Sequence, residues 1–248
     1  MLHHTTTGDD GPILLIAHGL YGSGRNWGVI AKRLSDQFRV VTPDMRNHGH
    51  SFTHADHGYA ALAQDLAQLI DHLGGPALVC GHSMGGKAAM TLALTRPDAV
   101  ERLVVADIAP VTYGHSQIQY IHAMRAVDLS QVTRRKEAEV QLSEQGVEPA
   151  LQNFFTQSLD VPEKRWRLNL DALERNMEQI IAFPDLESTF QGPTLFLSGS
   201  ESDYVTSEHR PLIRSLFPAA KFARITGAGH WLHAEKPREF ESVLRSFL

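Results

Sequence analysis

The feature that most constrains this chain is the pentapeptide Gly81-His82-Ser83-Met84-Gly85, which stands between the apolar run Ala77-Leu78-Val79-Cys80 and a small-residue stretch from Met84 to Leu94. A short apolar run followed at once by a helix forces a sharp strand-to-helix turn, and G-x-S-x-G is the pattern such a turn takes when it presents a serine. Glycine at 81 and 85 fits a turn with no room for Cβ atoms, and Gly86 lets the following helix pack closely. The turn lifts the Ser83 oxygen above the sheet edge, where it is a candidate nucleophile. The plainer reading is that Ser83 only caps a helix, a role serine also favours.

The rest of the chain supplies the sheet that this turn requires. Short apolar runs at Ile13 to Ala17, Phe38 to Thr42, Ala77 to Cys80 and Arg102 to Ala106 alternate with helical spacing at Trp27 to Leu34, Tyr59 to Leu73 and Met84 to Leu94. That alternation predicts an α/β fold with a mostly parallel central sheet flanked by helices. From about 111 to 190 strands vanish and helices are expected, among them Ile118 to Val127 and Asn169 to Phe183, with the charged Thr133 to Glu144 between. This reads as an inserted helical cap. The rhythm resumes with Thr194 to Leu197, a helix near Glu208 to Phe217, a strand Lys221 to Ile225 and a last helix from Pro237. The expected division is therefore a core of residues 1–110 and 191–248, with a cap of residues 111–190 inserted after the strand ending near Ala106.

At 248 residues the chain is long enough for one large α/β domain with a sizeable core. A net charge of −5, with 21% charged and 42% hydrophobic residues, gives no reason to expect nucleic acid as a partner. The one cysteine, Cys80, has no partner for an intramolecular disulfide and lies in an apolar run, so a reducing compartment is expected. The first residues lack the basic and apolar regions of a signal peptide, and no apolar stretch approaches the ~20 residues that span a bilayer. The expectation is a cytoplasmic protein with no membrane partner; its oligomeric state stays open.

A serine needs a base, an orienting acid and donors for a developing oxyanion. The base expected is His230, in Gly227-Ala228-Gly229-His230-Trp231 after the last strand, while His233 reads as a loop or first-turn residue. Two aspartates compete for the acid. Asp107 ends the strand that follows the nucleophile strand, and Asp203 lies in the loop after Thr194 to Leu197. The acid of this architecture commonly sits three residues after the loop glycine, a slot that holds Ser202, so the displacement points to Asp107 with Asp203 as the alternative. Ser202 is a candidate secondary partner near the base. The oxyanion donors expected are the backbone N–H groups of Leu20, in His18-Gly19-Leu20-Tyr21-Gly22, and Met84.

Four histidines, His48, His50, His54 and His57, invite a metal reading of the segment after the second strand. A structural turn built by Asp44, Arg46 and Gly49 explains it without one, and no metal or cofactor is expected.

Taken together, His18-Gly19, the Asp44 to Ser51 turn, the serine turn and Gly229-His230 resemble the α/β-hydrolase superfamily over nearly the whole chain. More narrowly, the segments starting at Asp44, Gly81, Asp107, Trp166 and Gly229 resemble the subfamily of YbfF-type esterases and the mammalian abhydrolase domain-containing protein eleven. The resemblance implies a serine esterase acting on small-molecule acyl esters or thioesters through an acyl-enzyme, under a helical cap. It also favours Asp107 as the acid, since members carry the Asp-Ile-x-Pro segment. The outer antiparallel strands that usually open the fold must be short, reduced to about Leu2 to Thr6. Candidates for an apolar pocket wall that favours short to medium acyl chains are Tyr21, Met124, Phe154, Phe155 and Trp166. The alternatives are a cofactor-free perhydrolase, a C–C bond hydrolase, an acyltransferase, or a low-turnover ligand-binding receptor on the same fold. Epoxide hydrolases and haloalkane dehalogenases use an aspartate where this chain has Ser83.

Overall fold

In a computed structural model describing residues 1–248, seven strands form one sheet. In chain order the first half runs β1 (His4–Thr7), β2 (Ile13–Ala17), α1 (Gly28–Leu34), β3 (Arg39–Pro43), α2 (Tyr59–Leu73), β4 (Ala77–His82), α3 (Met84–Thr95) and β5 (Val100–Ala106). A long insert follows, with α4 (Ile118–Ala126), α5 (Arg135–Glu144), α6 (Pro149–Thr156), β6 (Leu159–Asp160), β7 (Arg165–Trp166), α7 (Leu170–Arg175) and α8 (Met177–Ile181). The chain then returns through β8 (Thr194–Gly199), α9 (Arg210–Leu216), β9 (Ala220–Ile225), α10 (Leu232–Glu235) and α11 (Pro237–Phe247).

The strand order is β1-β3-β2-β4-β5-β8-β9, parallel throughout except for β1, which pairs antiparallel with β3. Both faces of the central strands are covered, which is why these segments read as unbroken apolar runs. Successive side chains point to opposite faces. Leu15, Val41, Val79, Val105 and Phe196 pack with α2, α3 and the insert, while Leu14, Ile16, Val40, Leu78, Cys80, Val104 and Leu197 pack with α1 and α11.

Two expectations for the insert need correction. Strands do not vanish from it, since β6 and β7 form a two-residue antiparallel hairpin. The helix expected over Asn169 to Phe183 is two helices, interrupted at Asn176. There the side chain accepts the His57 N–H at 3.2 Å and donates to the Ala55 carbonyl at 2.8 Å, bonds that tie the break to the turn after β3. No helix is long and apolar enough to cross a membrane.

Candidate active site

Ser83 sits between β4 and α3 with φ +52 and ψ −120, a region that costs an L-residue about 1–3 kcal/mol and persists only where the surroundings enforce it. They do so here. A Cβ on Gly81 would lie 2.2 Å from the Gly85 carbonyl, and one on Gly85 would lie 2.4 Å from that of Ala17. Ser83 holds the N-cap position of α3 but its side chain makes no capping hydrogen bond, so the plain capping role does not explain it.

Asp107, at the end of β5, is fully buried and also in the left-handed region, at φ +53. Its Oδ1 accepts the Gly199 N–H at 3.0 Å. Its Oδ2 accepts the Ser202 hydroxyl at 2.5 Å and Nδ1–H of His230 at 2.8 Å. Asp203 is exposed and makes no bond to His230. The structure thus brings His230 to Asp107, and Ser202 to the same carboxylate.

The loop carrying His230 is held at both ends. Glu235 Oε2 accepts the Gly229 N–H at 2.7 Å, and His82 Nε2–H donates to the His230 carbonyl at 2.8 Å. The Tyr204 ring stacks on the His230 ring with centroids 4.1 Å apart, and its hydroxyl meets His115 Nε2 at 2.9 Å. His233 lies in α10, buried and stacked on Trp27 at 4.0 Å; burial pushes it down to about 3, so its ring is neutral.

The expected oxyanion donors fit their loops. Met84 opens α3, where an α-helix leaves N–H groups unpaired. The Leu20 N–H finds no acceptor in the protein. On one side its direction is restrained through its own peptide plane, because the Gly19 carbonyl accepts His18 Nδ1–H at 2.7 Å and the Gly22 N–H at 3.1 Å. In a planar trans peptide, fixing that carbonyl aims the Leu20 N–H the opposite way.

Ser83, His230, Leu20 and Met84 all line one cavity of about 300 Å³. Its walls include Tyr21, Leu151, Phe154, Phe155, Ile180 and Trp231, and no Asp, Glu or Arg. Tyr21, Phe154 and Phe155 are therefore where the pocket expectation put them, but Met124 and Trp166 are not. Met124 is fully buried outside the lining, and Trp166 Nε1–H is taken up by the Met124 backbone carbonyl at 2.9 Å.

One lysine reaches this cavity. Lys87 stands in α3 with its side chain buried, and its Nζ donates to the carbonyls of Val111, Ile181 and Ala182 at 2.9, 2.7 and 2.7 Å. These acceptors lie at the two ends of the insert. Burial pushes the amine down to about 7, while three carbonyls match the three donors of an ammonium.

The histidine-rich segment is a structural turn. Arg46 makes two bonds to Asp65, at 2.6 and 2.9 Å, and Asp44 accepts the N–H groups of Gly24 and His50 at 2.8 Å each. His48 and His57 are buried and bonded to protein groups. The group best placed to hold a cation is His3, Asp44 and His50, whose ligand atoms lie within 4.8 Å of one another, with His3 coming from outside the segment. Asp44 Oδ2 is 3.3 and 3.4 Å from those two imidazoles, and the same carboxylate already accepts the N–H groups of Gly24 and His50.

A family model described as the alpha/beta hydrolase fold matches residues 12–237. The chain belongs to the α/β-hydrolase family. Among its relatives, this hydrolase is 44% identical over 248 residues to a Mus musculus protein named sn-1-specific diacylglycerol lipase ABHD11, covering 96% of this chain and 81% of that one. It is 37% identical to esterase YbfF of Escherichia coli strain K12, covering 97% and 94%. A solved structure described as a marine microorganism esterase superposes with a TM-score of 0.95 at 40% identity, covering 100% of this chain and 99% of that chain. The hydrolase is thus of the ABHD11/YbfF type.

Four contributors were not expected from the sequence as parts of the site: His82, Lys87, Tyr204 and Glu235. Lys87 carried a signal, being the one charged residue in an otherwise apolar, small-residue helix.

Proposed function

We propose that this hydrolase is a serine esterase that cleaves uncharged acyl esters through an acyl-enzyme on Ser83. The observation that carries the reading is the bond from His230 Nδ1–H to Asp107 at 2.8 Å. With that proton on Nδ1, Nε2 keeps a lone pair for the Ser83 proton, and the buried carboxylate stabilises the imidazolium that forms. Ser83 Oγ attacks the acyl carbon as His230 takes its proton, and the N–H groups of Leu20 and Met84 receive the negative charge on the carbonyl oxygen. His230 then returns the proton to the leaving alcohol. Water, deprotonated by the same imidazole, releases the acid and restores Ser83.

The insert acts as the cap, supplying Leu151, Phe154, Phe155 and Ile180 to the apolar wall. A lining without Asp, Glu or Arg, whose Lys87 is already bonded to three carbonyls, favours a neutral short to medium acyl chain over a charged acid. Thioesters suit the same machinery, because only the leaving group changes. The single buried Cys80 fits work in a reducing compartment such as the cytoplasm.

The test is hydrolysis of p-nitrophenyl esters from acetate to laurate, beside an acyl thioester and a diacylglycerol, by wild type and Ser83→Ala. We expect wild-type turnover with an optimum at short to medium chains and loss of at least three orders of magnitude in the variant. Equal activity in both proteins overturns the reading.

A further inference from the structure

The turn after β3 does more than close on itself. His48 Nδ1–H donates to the Arg46 carbonyl at 2.9 Å, which fixes the tautomer and leaves Nε2 as an acceptor; that atom receives the Tyr21 N–H at 3.2 Å. Tyr21 follows Leu20 directly and is itself held in the left-handed region, at φ +64. A tyrosine does not rest there unaided, so its partners determine where the Leu20–Tyr21 peptide lies. Besides His48, they come from the cap: the Tyr21 carbonyl accepts the Ser158 hydroxyl at 3.1 Å, and its own hydroxyl donates to the Gln117 carbonyl at 2.8 Å.

The other side of the same turn also pairs with the cap. His48 forms an antiparallel bridge with Leu168. The Asn47 carbonyl accepts the Asn169 N–H at 2.9 Å, and the Gly49 N–H donates to the Arg167 carbonyl at 2.8 Å. His48 is therefore flanked by two backbone bonds to the cap, made by Asn47 and Gly49, while its ring reaches the oxyanion loop. The ring must stay neutral, because an imidazolium would set N–H against N–H. Burial holds it well below its ordinary value, and the neighbouring imidazoles of His18 and His57 push the same way.

We infer that His48 is a positioning residue of the reaction, acting through the Tyr21 amide to keep the Leu20 N–H in its oxyanion-binding direction and registering that loop to the cap. The inference rests on the serine-esterase reading, in which Leu20 is an oxyanion donor. The property required of residue 48 is a buried hydrogen-bond acceptor at the place of Nε2. Glutamine offers one in its side-chain oxygen, whereas leucine fills similar space and leaves the Tyr21 N–H unpaired.

Wild type, Ser83→Ala, His48→Gln and His48→Leu are compared for kcat and KM on p-nitrophenyl butyrate and for inhibition by an alkyl trifluoromethyl ketone. Ser83 oxygen adds to the ketone carbon, its proton passes to His230, and the carbonyl electron pair becomes an oxyanion. That adduct reports the oxyanion site apart from ground-state binding. We expect His48→Leu to lower kcat about 30- to 100-fold, less than the 10²–10³-fold typical of removing a donor outright. Ketone affinity should fall in proportion while KM stays within about three-fold, and His48→Gln should recover at least ten-fold of the loss.

Retention of kcat within three-fold in His48→Leu overturns the inference, as does equal loss in both variants when both melt near the wild-type temperature. If His48→Leu fails to fold, His48→Gln decides: ketone affinity within ten-fold of wild type supports the role, and a larger loss overturns it. Absence of Ser83-dependent turnover in wild type removes the esterase reading and this inference with it. Turnover that Ser83→Ala abolishes and the His48 variants preserve removes the inference alone.

Discussion

Nδ1 of His230 lies 2.8 Å from Oδ2 of Asp107, and that one oxygen also receives the Ser202 hydroxyl at 2.5 Å. A buried carboxylate with three donors has its charge met without a cation, and its orientation leaves the imidazole one tautomer. Removing the charge while keeping the shape reverses that preference. Asp107→Asn should lower kcat by about 10³–10⁴, as loss of the orienting carboxylate does in a serine protease with the same three groups, and Asp203→Asn should stay within about two-fold. Steady-state ester hydrolysis on both variants checks this, with a melting curve to show that each is folded.

Ser202 restrains the same carboxylate oxygen that His230 meets. Ser202→Ala removes one hydrogen bond to a charged group, worth about 1.5–3 kcal/mol, but leaves the bonds from Gly199 and His230. Part of that loss falls on the transition state, so kcat should drop roughly 5- to 30-fold with KM little changed. An unaltered kcat would show that the bonds from Gly199 and His230 suffice to hold the carboxylate.

Two glycines should answer oppositely to alanine. A Cβ on Gly85 would meet the backbone carbonyls of Ala17 and His18 at 2.4 and 2.5 Å, atoms that cannot turn aside. Gly85→Ala should cost about 2–4 kcal/mol, which is roughly 5–15 °C in melting temperature for a chain of this size, and should abolish activity. Gly28, in α1, has open space where its Cβ would stand, so Gly28→Ala should gain about 0.5 kcal/mol with activity intact. Thermal melts of the two variants side by side read the contrast.

Lys87 makes stability depend on pH in a definite direction. Burial lowers its folded-state value from 10.5 to about 7, while the unfolded chain keeps the ordinary value. Between pH 7 and 10.5 the unfolded state therefore binds more protons, and this residue's contribution to stability rises with pH. Below pH 7 both states are protonated and the cost of burying the charge is fully present. The unfolding free energy of wild type minus that of Lys87→Met should therefore climb from pH 7 to 10, by at most about 1.4 kcal/mol per unit. Urea unfolding at pH 6, 8 and 9.5 measures it, and a flat difference would mean that the amine keeps its proton throughout.

Much of this site was legible because it is local in the chain. The turn at Ser83 needs only an apolar strand, glycines with no room for Cβ, and a helix, all within twenty residues of sequence. The order of nucleophile, acid and base along the chain follows from parallel strands whose ends share one edge of the sheet. The break in the helix expected over Asn169 to Phe183 was hidden for the opposite reason, since the bonds that draw Asn176 aside come from Ala55 and His57, more than a hundred positions away. Met124 and Trp166 carried the right residue types for a pocket wall, but periodicity shows that a face is apolar without showing what it meets.

The sequence by itself thus determined the α/β fold, the family, and the placing of Ser83 and His230 at the ends of their strands, because hydrophobic period and turn chemistry act over a few residues. The sequence leaned toward Asp107 over Asp203, and the tertiary structure adds which of the two meets His230. Both follow strands whose ends reach the same edge, and only the path of the loop after β8 brings Ser202 inward and leaves Asp203 in solvent. Tertiary structure alone joined His48 to Tyr21, across twenty-seven positions with a helix and a strand between them, because side-chain direction in a packed interior is set by every neighbour at once.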